Sequence, residues 1–385
     1  MREMRSYLGP AAATAAMVLA VVMAAAPARG LTIQLDYTYD GGFFASNPSA
    51  VSAMQAAAGA FEIFTDDLLA IEPGGVNTWN AFFTRPDTGS TMELANPTVA
   101  ADTLRVYVGG RALGGTTLAH GGPGGFSAAG TQTWLDTVVS RGESGALEDP
   151  ITDFGPWGGS ISFDTSDRDW HFDHTVSPGF GDADFYAVAV HELAHVLGFG
   201  TSSSFEALVD STADRFLGEA SEDVYGQQVP LAGGYGHWEA GTASTVGDDE
   251  QVQEASMTPT IALGSRKYFT TLDYAGLADV GWQMPPGDTD MDGDVDFDDA
   301  WTVLSHYRDG RTDHTHFHGD FDGDGDVDGD DAAVLLNLYG SGAPAAGDAP
   351  VWLAQMAEVP EPTVFVLLMV GLLVVMARRR RPVAS

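Results

Sequence analysis

Two histidines four residues apart constrain this chain more than any other sequence feature. His191 and His195 enclose Glu192 and follow the apolar residues 187–190. Positions four apart lie on one face of a helix, so both imidazoles can face a single ion. Imidazole is a preferred ligand of zinc, and an adjacent carboxylate can accept a proton from metal-activated water. The pattern predicts a zinc site on a helix with Glu192 as general base; the alternative is an ordinary amphipathic helix.

Charge and cysteine content restrict the classes of function that this chain can have. The 385 residues carry a formal net charge of -37 with only 17 basic side chains, so nucleic acid is a poor partner. The chain contains no cysteine, which excludes disulfides and thiolate-bound metals. Its length suits a catalytic domain together with smaller modules.

Apolar patterning predicts a mixture of strands and helices before the histidine motif. Residues 31–39 alternate between apolar and polar side chains, which predicts a strand. Residues 103–108 and 159–164 are two further predicted strands. Residues 48–71 show helical spacing and predict one long helix, whereas the glycine-rich residues 109–130 predict a loop beside the active site. The fold class expected for residues 31–284 is therefore α+β.

An acidic loop precedes the motif helix, which begins near Asp182 or Asp184 because either residue can serve as an N-cap. This loop could hold a structural calcium or a second zinc, or it could be a solvated polar loop. Its polar residues are Asp167, Asp169, His171, Asp173 and His174.

The histidine motif resembles that of the metzincin peptidases, H-E-x-x-H-x-x-G-x-x-H. His191, Glu192, His195 and Gly198 match, but Thr201 stands at the last position and cannot replace an imidazole. The resemblance implies a twisted mixed sheet with an active-site helix, one catalytic zinc and hydrolysis of peptide bonds. Many relatives are kept latent by a propeptide cysteine, and that form of latency is impossible here.

The leishmanolysin branch of the metzincins offers a third ligand. Its last histidine follows an insertion, and residues 233–239 of this chain, which include His237, fit that setting. The resemblance thus implies His237 as the third zinc ligand; the alternative is a surface histidine. Residues 255–259 resemble the metzincin Met-turn with Met257 as its methionine, and residues 272–282 resemble the helix that closes such domains.

Two aspartate-rich stretches after residue 287 have the spacing of calcium loops. Oxygen donors at alternate positions can wrap a hard cation, and each loop runs into an apolar helix. The pair resembles a type I dockerin, which implies a small all-α, EF-hand-like module over residues 288–340, two calcium ions and a cohesin-like protein partner. A disordered acidic repeat is the alternative. The aspartates are Asp288, Asp290, Asp292, Asp294, Asp296 and Asp299 in the first loop, and Asp320, Asp322, Asp324, Asp326, Asp328 and Asp331 in the second.

Three histidines, His314, His316 and His318, lie between the two aspartate loops. They could bind a transition metal, since imidazole suits such ions. The alternative is an exposed polar loop.

Both ends of the chain have the composition of targeting segments. Residues 1–28 have the basic, apolar and small-x-small parts of a signal peptide. After a linker, residues 341–358, the last segment (359–385) resembles a PEP-CTERM sorting signal, with a short apolar transmembrane segment before four arginines. The resemblance implies an exosortase-type enzyme, removal of the tail and an extracellular or envelope location in a Gram-negative bacterium; a permanent membrane anchor is the alternative.

These features together predict an exported zinc-dependent endopeptidase with a calcium-binding docking module. The alternative is a catalytically inactive metzincin-like protein that serves as a surface adhesion or scaffold protein. Glu192 favours the enzyme, because an inactive descendant has no chemical need for it.

Overall fold

The computed structural model describes residues 30–342, except residues 167 and 248, together with residues 353 and 356. The predicted signal peptide (1–28), the sorting signal (359–385) and nearly all of the linker lie outside the described residues. Across the part of the chain that is described, no helix has the length and apolar character needed to cross a membrane.

Helices and strands are interspersed along the chain, as the predicted α+β class requires. The strands are β1 (Thr32–Asp36), β2 (Thr78–Thr84), β3 (Thr91–Ala95), β4 (Thr103–Arg111), β5 (Ala119–Pro123), β6 (Gly125–Ala129), β7 (Gly158–Asp164), β8 (Trp170–His171), β9 (Ala183–Asp184), β10 (Val209–Asp210), β11 (Arg215–Phe216), β12 (Val229–Pro230), β13 (Ala243–Val246) and β14 (Asp249–Glu254). The helices are α1 (Phe43–Ser46), α2 (Pro48–Gly59), α3 (Gln132–Ser140), α4 (Phe185–Val196), α5 (Ser203–Ala207), α6 (Glu219–Tyr225), α7 (Thr271–Asp279), α8 (Phe297–His306) and α9 (Gly329–Leu338), with short 3-10 helices at Ser144–Leu147 and His316–His318.

A four-stranded mixed sheet in the order β1-β4-β7-β5 supports the helix that carries the histidine motif. β1, β4 and β7 run parallel, and β5 pairs antiparallel with β7 at one edge. β7 is buried along its whole length, as expected for a parallel strand covered on both faces. Helix α4 contacts α2, β5 and β7, so both the sheet and a neighbouring helix pack against it.

Within the described residues, the buried apolar side chains form three clusters. The main one joins α2, α4, α7 and the central sheet. A second lies between the β3-β2-β6 sheet and α3 and contains Trp79, Trp134 and Trp157. A third lies between α8 and α9. Met291 and Phe317 belong to the main cluster although they lie in the aspartate-rich segment, so that segment packs on the larger domain.

The long helix predicted over residues 48–71 was wrong in its second half, because α2 ends at Gly59. Phe64, Asp66 and Leu68 are all buried, which is the period of two that an extended segment has. The backbone there is held by main-chain bonds, including the amide of Thr65 donating to the carbonyl of Gln283 at 3.0 Å. Apolar residues four apart fit both conformations, so the spacing alone misled the prediction.

The loop predicted over residues 109–130 was also wrong, because it contains the end of β4 and the whole of β5 and β6. Glycine normally weakens a strand, but it is used where another backbone approaches closely. A Cβ added at Gly121 would lie 2.6 Å from the carbonyl oxygen of Glu192. Gly121 therefore lets this edge strand lie directly against α4.

Candidate metal and catalytic site

Asp184 determines where the motif helix begins. Its carboxylate accepts the amide of Ala187 at 2.8 Å, whereas Asp182 accepts only the amide of Gly179, outside the helix. The guanidinium of Arg266 donates twice to Asp184, at 3.0 and 2.7 Å, in an ion pair with little exposure. A buried N-cap with a paired charge fixes the helix start, and thereby the rotation of the two histidines around its axis.

Gly198 ends the helix with a backbone conformation that favours glycine. Its φ is +105°, and an added Cβ would lie 2.6 Å from the ring of Phe154. The reversal brings the carbonyl of Phe199 to the Nδ1 of His195, which donates to it at 2.8 Å. The sharp end of the helix therefore also fixes the orientation of its second imidazole.

Three imidazole nitrogens converge at this site. The Nε2 of His237 lies 3.1 Å from the Nε2 of His191 and 3.1 Å from that of His195. Both helix histidines donate from Nδ1 to a backbone carbonyl, that of Ser256 at 2.8 Å and that of Phe199. Their neutral Nε2 atoms are therefore acceptors, and His237 can donate a hydrogen to only one of them.

A cation resolves this surplus of acceptors. Two nitrogens bound to zinc at about 2.0–2.1 Å in tetrahedral geometry lie about 3.3 Å apart, close to the separations found here. Burial lowers the pKa of His191 well below 6.5, lowers that of His195 to about 4 and lowers that of His237 as well. All three imidazoles are thus neutral near pH 7, which is the state that binds metal. The donor set fits zinc.

Glu192 lies beside this centre on the wall of a cleft of about 560 Å³. Its side chain is almost fully buried, and burial raises its pKa to about 7 while a hydrogen bond from the amide of Gly121 opposes that rise. A carboxyl group whose pKa lies near neutrality can accept and release a proton during turnover. The arrangement is therefore suited to general acid–base chemistry.

The third imidazole reaches the site because the chain near Gly200 leaves room for it. Gly200 has φ +67°, and a Cβ there would lie 2.3 Å from the carbonyl oxygen of Gly236. Thr201 points its hydroxyl at the carbonyl of His195, to which it donates at 2.6 Å. Thr201 therefore caps the helix end, and His237 supplies the third nitrogen from residues far along the chain.

Asp273 is a supporting residue that sequence reasoning missed. Its buried carboxylate accepts the indole Nε1 of Trp238 at 3.1 Å and the amides of Ser256 and Met257 at 2.8 and 3.1 Å. Burial raises its pKa although several donors oppose the rise. The only sequence signal was the capping box with Thr270 at the start of α7. Asp273 thus joins the segments that carry His237 and the acceptor of His191.

Met257 lies in a turn next to the three converging histidines. The amide of Thr258 donates to the carbonyl of Ala255 at 3.3 Å, and the Met257 side chain is fully buried in the main core. The Met257 carbonyl accepts the amide of Trp238 at 3.0 Å. The turn therefore supplies two carbonyl acceptors, that of Ser256 for His191 and that of Met257 for the residue after His237.

The two aspartate loops have the same internal hydrogen bonds. Asp288 accepts the amide of Gly293, and Asp320 accepts that of Gly325. The carboxylates of Asp299 and Asp331 each accept at least two backbone amides of their own loop. Burial raises the pKa of Asp288 to about 7, with Asp299 adding to the rise. Carboxylate oxygens within 4.8 Å of one another occur in Asp288, Asp290 and Asp292, and in Asp320, Asp322 and Asp324.

The other predicted loop positions lie nearby. Asp296 and Asp328 are the N-caps of α8 and α9. Asp294 and Asp326 lie in the loops, where their amides bind the preceding aspartates at 3.0 and 3.1 Å. The acidic loop before α4 differs: within the part that is described, no group of three metal-type ligands occurs around Asp169, His171, Asp173 and His174. Residue 167 lies outside the described residues.

Comparison with known proteins supports the class of this site. The sequence model of the matrixin family matches residues 140–224, a segment that includes His191, Glu192 and His195 but ends before His237. No curated protein and no solved structure matches the chain. The match supports a metzincin-type zinc metallopeptidase, a class that acts on proteins or peptides, and the group of three histidines fits the catalytic zinc of that family.

Proposed function

We propose that this chain is an exported zinc-dependent endopeptidase of the metzincin type, with His191, His195 and His237 as zinc ligands and Glu192 as general base. The observation that carries the proposal is the convergence of three Nε2 atoms beside a buried glutamate in a cleft. The Nε2 of His237 lies 3.1 Å from each of the other two. The leishmanolysin-like origin of the third ligand, after an inserted segment, is part of the proposal.

The reaction follows from the positions of these side chains. A zinc ion held by His191, His195 and His237 would lower the pKa of a water molecule towards about 7 and polarise the carbonyl of a peptide bond. Glu192 takes a proton from the attacking water and passes it to the leaving amine. The amide of Gly121 holds the Glu192 carboxylate in place between these two transfers.

The edge strand β5 gives the cleft a means of binding an extended peptide. β5 is the last strand of its sheet, and residues 116–121 line the cleft together with α4 and residues 258–261. A strand edge can pair with an extended peptide through main-chain hydrogen bonds. An endopeptidase substrate lying along β5 would place one peptide bond close to Glu192.

The remaining parts of the proposal concern the rest of the chain. Two calcium ions bind the loops that begin at Asp288 and Asp320 and fold the dockerin-like segment 288–340, which docks on a cohesin-like protein. The shared hydrogen bonds and the oxygen clusters of both loops support this assignment. A signal peptide (1–28) directs export, and an exosortase-type enzyme recognises residues 359–385, so the membrane is contacted only through that segment.

The proposed roles are tested by zinc content and casein hydrolysis of single variants. Glu192→Gln should keep one equivalent of zinc at this site while kcat/KM falls by about 10²–10⁴-fold, because only the proton acceptor is lost. His237→Ala should lose that zinc and the activity together. Glu206→Gln, which changes an exposed glutamate just beyond the motif helix, should leave both measurements unchanged.

Two outcomes would contradict the assignment. Full hydrolysis by Glu192→Gln would remove the general-base role. Retention of the catalytic zinc by His237→Ala would remove the third ligand. A wild-type chain that binds zinc but cleaves no protein or peptide would favour the inactive scaffold instead.

A further inference from the structure

A second group of three histidines lies where the aspartate-rich segment meets the larger domain. His306, the last residue of α8, and His314 and His318, in the connection between the two aspartate loops, each place a ring nitrogen within 4.8 Å of the others. The ring centroids lie 4.1–5.2 Å apart, compared with 4.8–5.1 Å in the catalytic group. His316 points elsewhere and bonds to the carbonyl of Asp288. The arrangement resembles the zinc site described above.

A carboxylate from the larger domain borders this group at His318. Asp223, on α6, places its Oδ2 2.9 Å from the Nδ1 of His318, and only 6% of its side chain is exposed. Asp223 also accepts from the hydroxyl of Thr315 at 2.8 Å and pairs with Arg311 at 3.2 Å. Asp223 thus places an oxygen beside one of the three nitrogens, from the other side of the junction.

Hydrogen counting leaves this cluster with more acceptors than donors. The Nε2 of His314 faces the acceptor-only carboxylate of Asp309 at 3.0 Å, so Nε2 carries the hydrogen and Nδ1 of the neutral ring is an acceptor. That Nδ1 lies 3.1 Å from the Nδ1 of His318, which also faces Asp223. One hydrogen on the Nδ1 of His318 cannot serve both acceptors, so one of them receives no hydrogen from this nitrogen, next to the fully buried ring of His314.

Asp309 supplies the outer support that metal-binding histidines require. Its Oδ1 accepts from His314, and its Oδ2 lies 4.0 Å from the Nδ1 of His306. A histidine that binds metal almost always donates its other ring nitrogen to a carboxylate or carbonyl, which fixes the tautomer. Asp309 performs this role for His314 from a position behind the ring.

We propose that His306, His314, His318 and Asp223 bind a structural zinc ion that joins the aspartate-rich segment to the larger domain. Four protein donors of nitrogen and oxygen type suit zinc, and a site with four protein ligands is closed to substrate. This zinc is separate from the catalytic one and does not depend on the proposed peptidase activity.

The site is tested by counting bound zinc in the full chain. After chelation, the protein is dialysed against zinc in excess calcium, which occupies hard oxygen sites, and zinc is measured by mass spectrometry. The wild type should hold two equivalents, and His318→Ala and His306→Ala should each hold one while retaining casein hydrolysis. Asp309→Asn should leave the ligands of both zinc sites in place and lower the zinc affinity of the site at His314 by about 10–100-fold.

Controls separate this site from the catalytic one. His174→Ala changes a histidine outside both groups and should keep two equivalents. His237→Ala should lose a different equivalent, so that the double variant His237→Ala, His318→Ala holds none. Cobalt titration of the wild-type chain, which needs no variant to fold, should show two tetrahedral sites in its visible spectrum. One equivalent in the wild type, or two in both His318→Ala and His306→Ala, would overturn the proposal.

Discussion

A buried carboxyl group makes the stability of the larger domain depend on pH in an unusual direction. Asp66 is 2% exposed and accepts the amide of Gln283 at 3.1 Å, which ties the segment after α2 to the chain after α7. Burial raises its pKa from 3.8 to about 8, and the nearby carboxyl groups of Glu143 and Asp153 add to the rise. Burial similarly raises the pKa of Glu143 to about 7.

The direction in which the free energy of unfolding changes with pH follows from proton binding. Between about pH 4 and pH 8 the folded chain keeps a proton on Asp66 that the unfolded chain has lost, so the free energy of unfolding falls as pH rises through this range. Each unit of pKa difference corresponds to about 1.4 kcal/mol, which would give about 6 kcal/mol for a rigid site. Relaxation and water entry reduce this penalty, and we expect a loss of about 2–4 kcal/mol.

Asp66→Asn removes this titration while keeping an oxygen acceptor for Gln283. At pH 5 the variant should unfold within about 1 kcal/mol of the wild type, because Asp66 is then neutral in the folded chain. At pH 8.5 it should be more stable by about 2–4 kcal/mol, a rise in Tm of about 5–15 °C. Thermal unfolding followed by near-ultraviolet circular dichroism, with zinc and calcium held constant, measures this difference at each pH.

Glu72→Gln is the matched control, because Glu72 is an exposed carboxylate farther along the same segment. Its Tm relative to the wild type should not change between pH 5 and pH 8.5. If the difference between Asp66→Asn and the wild type is also constant across this range, Asp66 does not hold a proton in the folded chain and the reasoning is refuted.

Three further perturbations test other parts of the structure. Gly121→Ala should lower kcat/KM by about 10²-fold with zinc retained, because the new Cβ lies 2.9 Å from the Glu192 carboxylate. An unchanged rate would show that β5 and α4 can move apart without disturbing Glu192. Asp273→Ala should cost about 3–5 kcal/mol in thermal unfolding, because its buried donors lose their acceptor. Removing calcium by dialysis should raise hydrogen exchange in α8 and α9 but not in α4, and equal protection would exclude calcium-dependent folding of that segment.

Local patterns predicted the elements whose signals lie close together in the chain. The motif helix, one of its two predicted N-caps (Asp184) and the apolar helices after both aspartate loops are confirmed, because capping and periodicity act within a few residues. The strand β5 was missed because its Gly121 has a long-range cause, the approach of Glu192, and β6 was missed as part of the same glycine-rich stretch. Their composition resembles that of a loop.

The supporting residues of both histidine groups could not be predicted in the same way. Asp273 lies 35 residues from Trp238, to which it is bonded, and nothing in either local sequence indicates the contact. His306 is the end of a helix, and its approach to His318 depends on how the connection between the aspartate loops folds back. Sequence reasoning grouped His314 and His318 with His316, which the structure turns towards Asp288 instead.

The two histidine groups differ in the feature that separates catalytic from structural zinc sites. In the first, His191 and His195 are oriented by backbone carbonyls, the donors are three nitrogens, and one side opens to the cleft beside Glu192. In the second, a carboxylate orients His314 from behind, and we propose Asp223, which contacts His318, as the fourth ligand. Three protein ligands leave a coordination position for water, whereas four close the site. On these two proposals, the same donor chemistry serves hydrolysis at one place and joins two parts of the chain at the other.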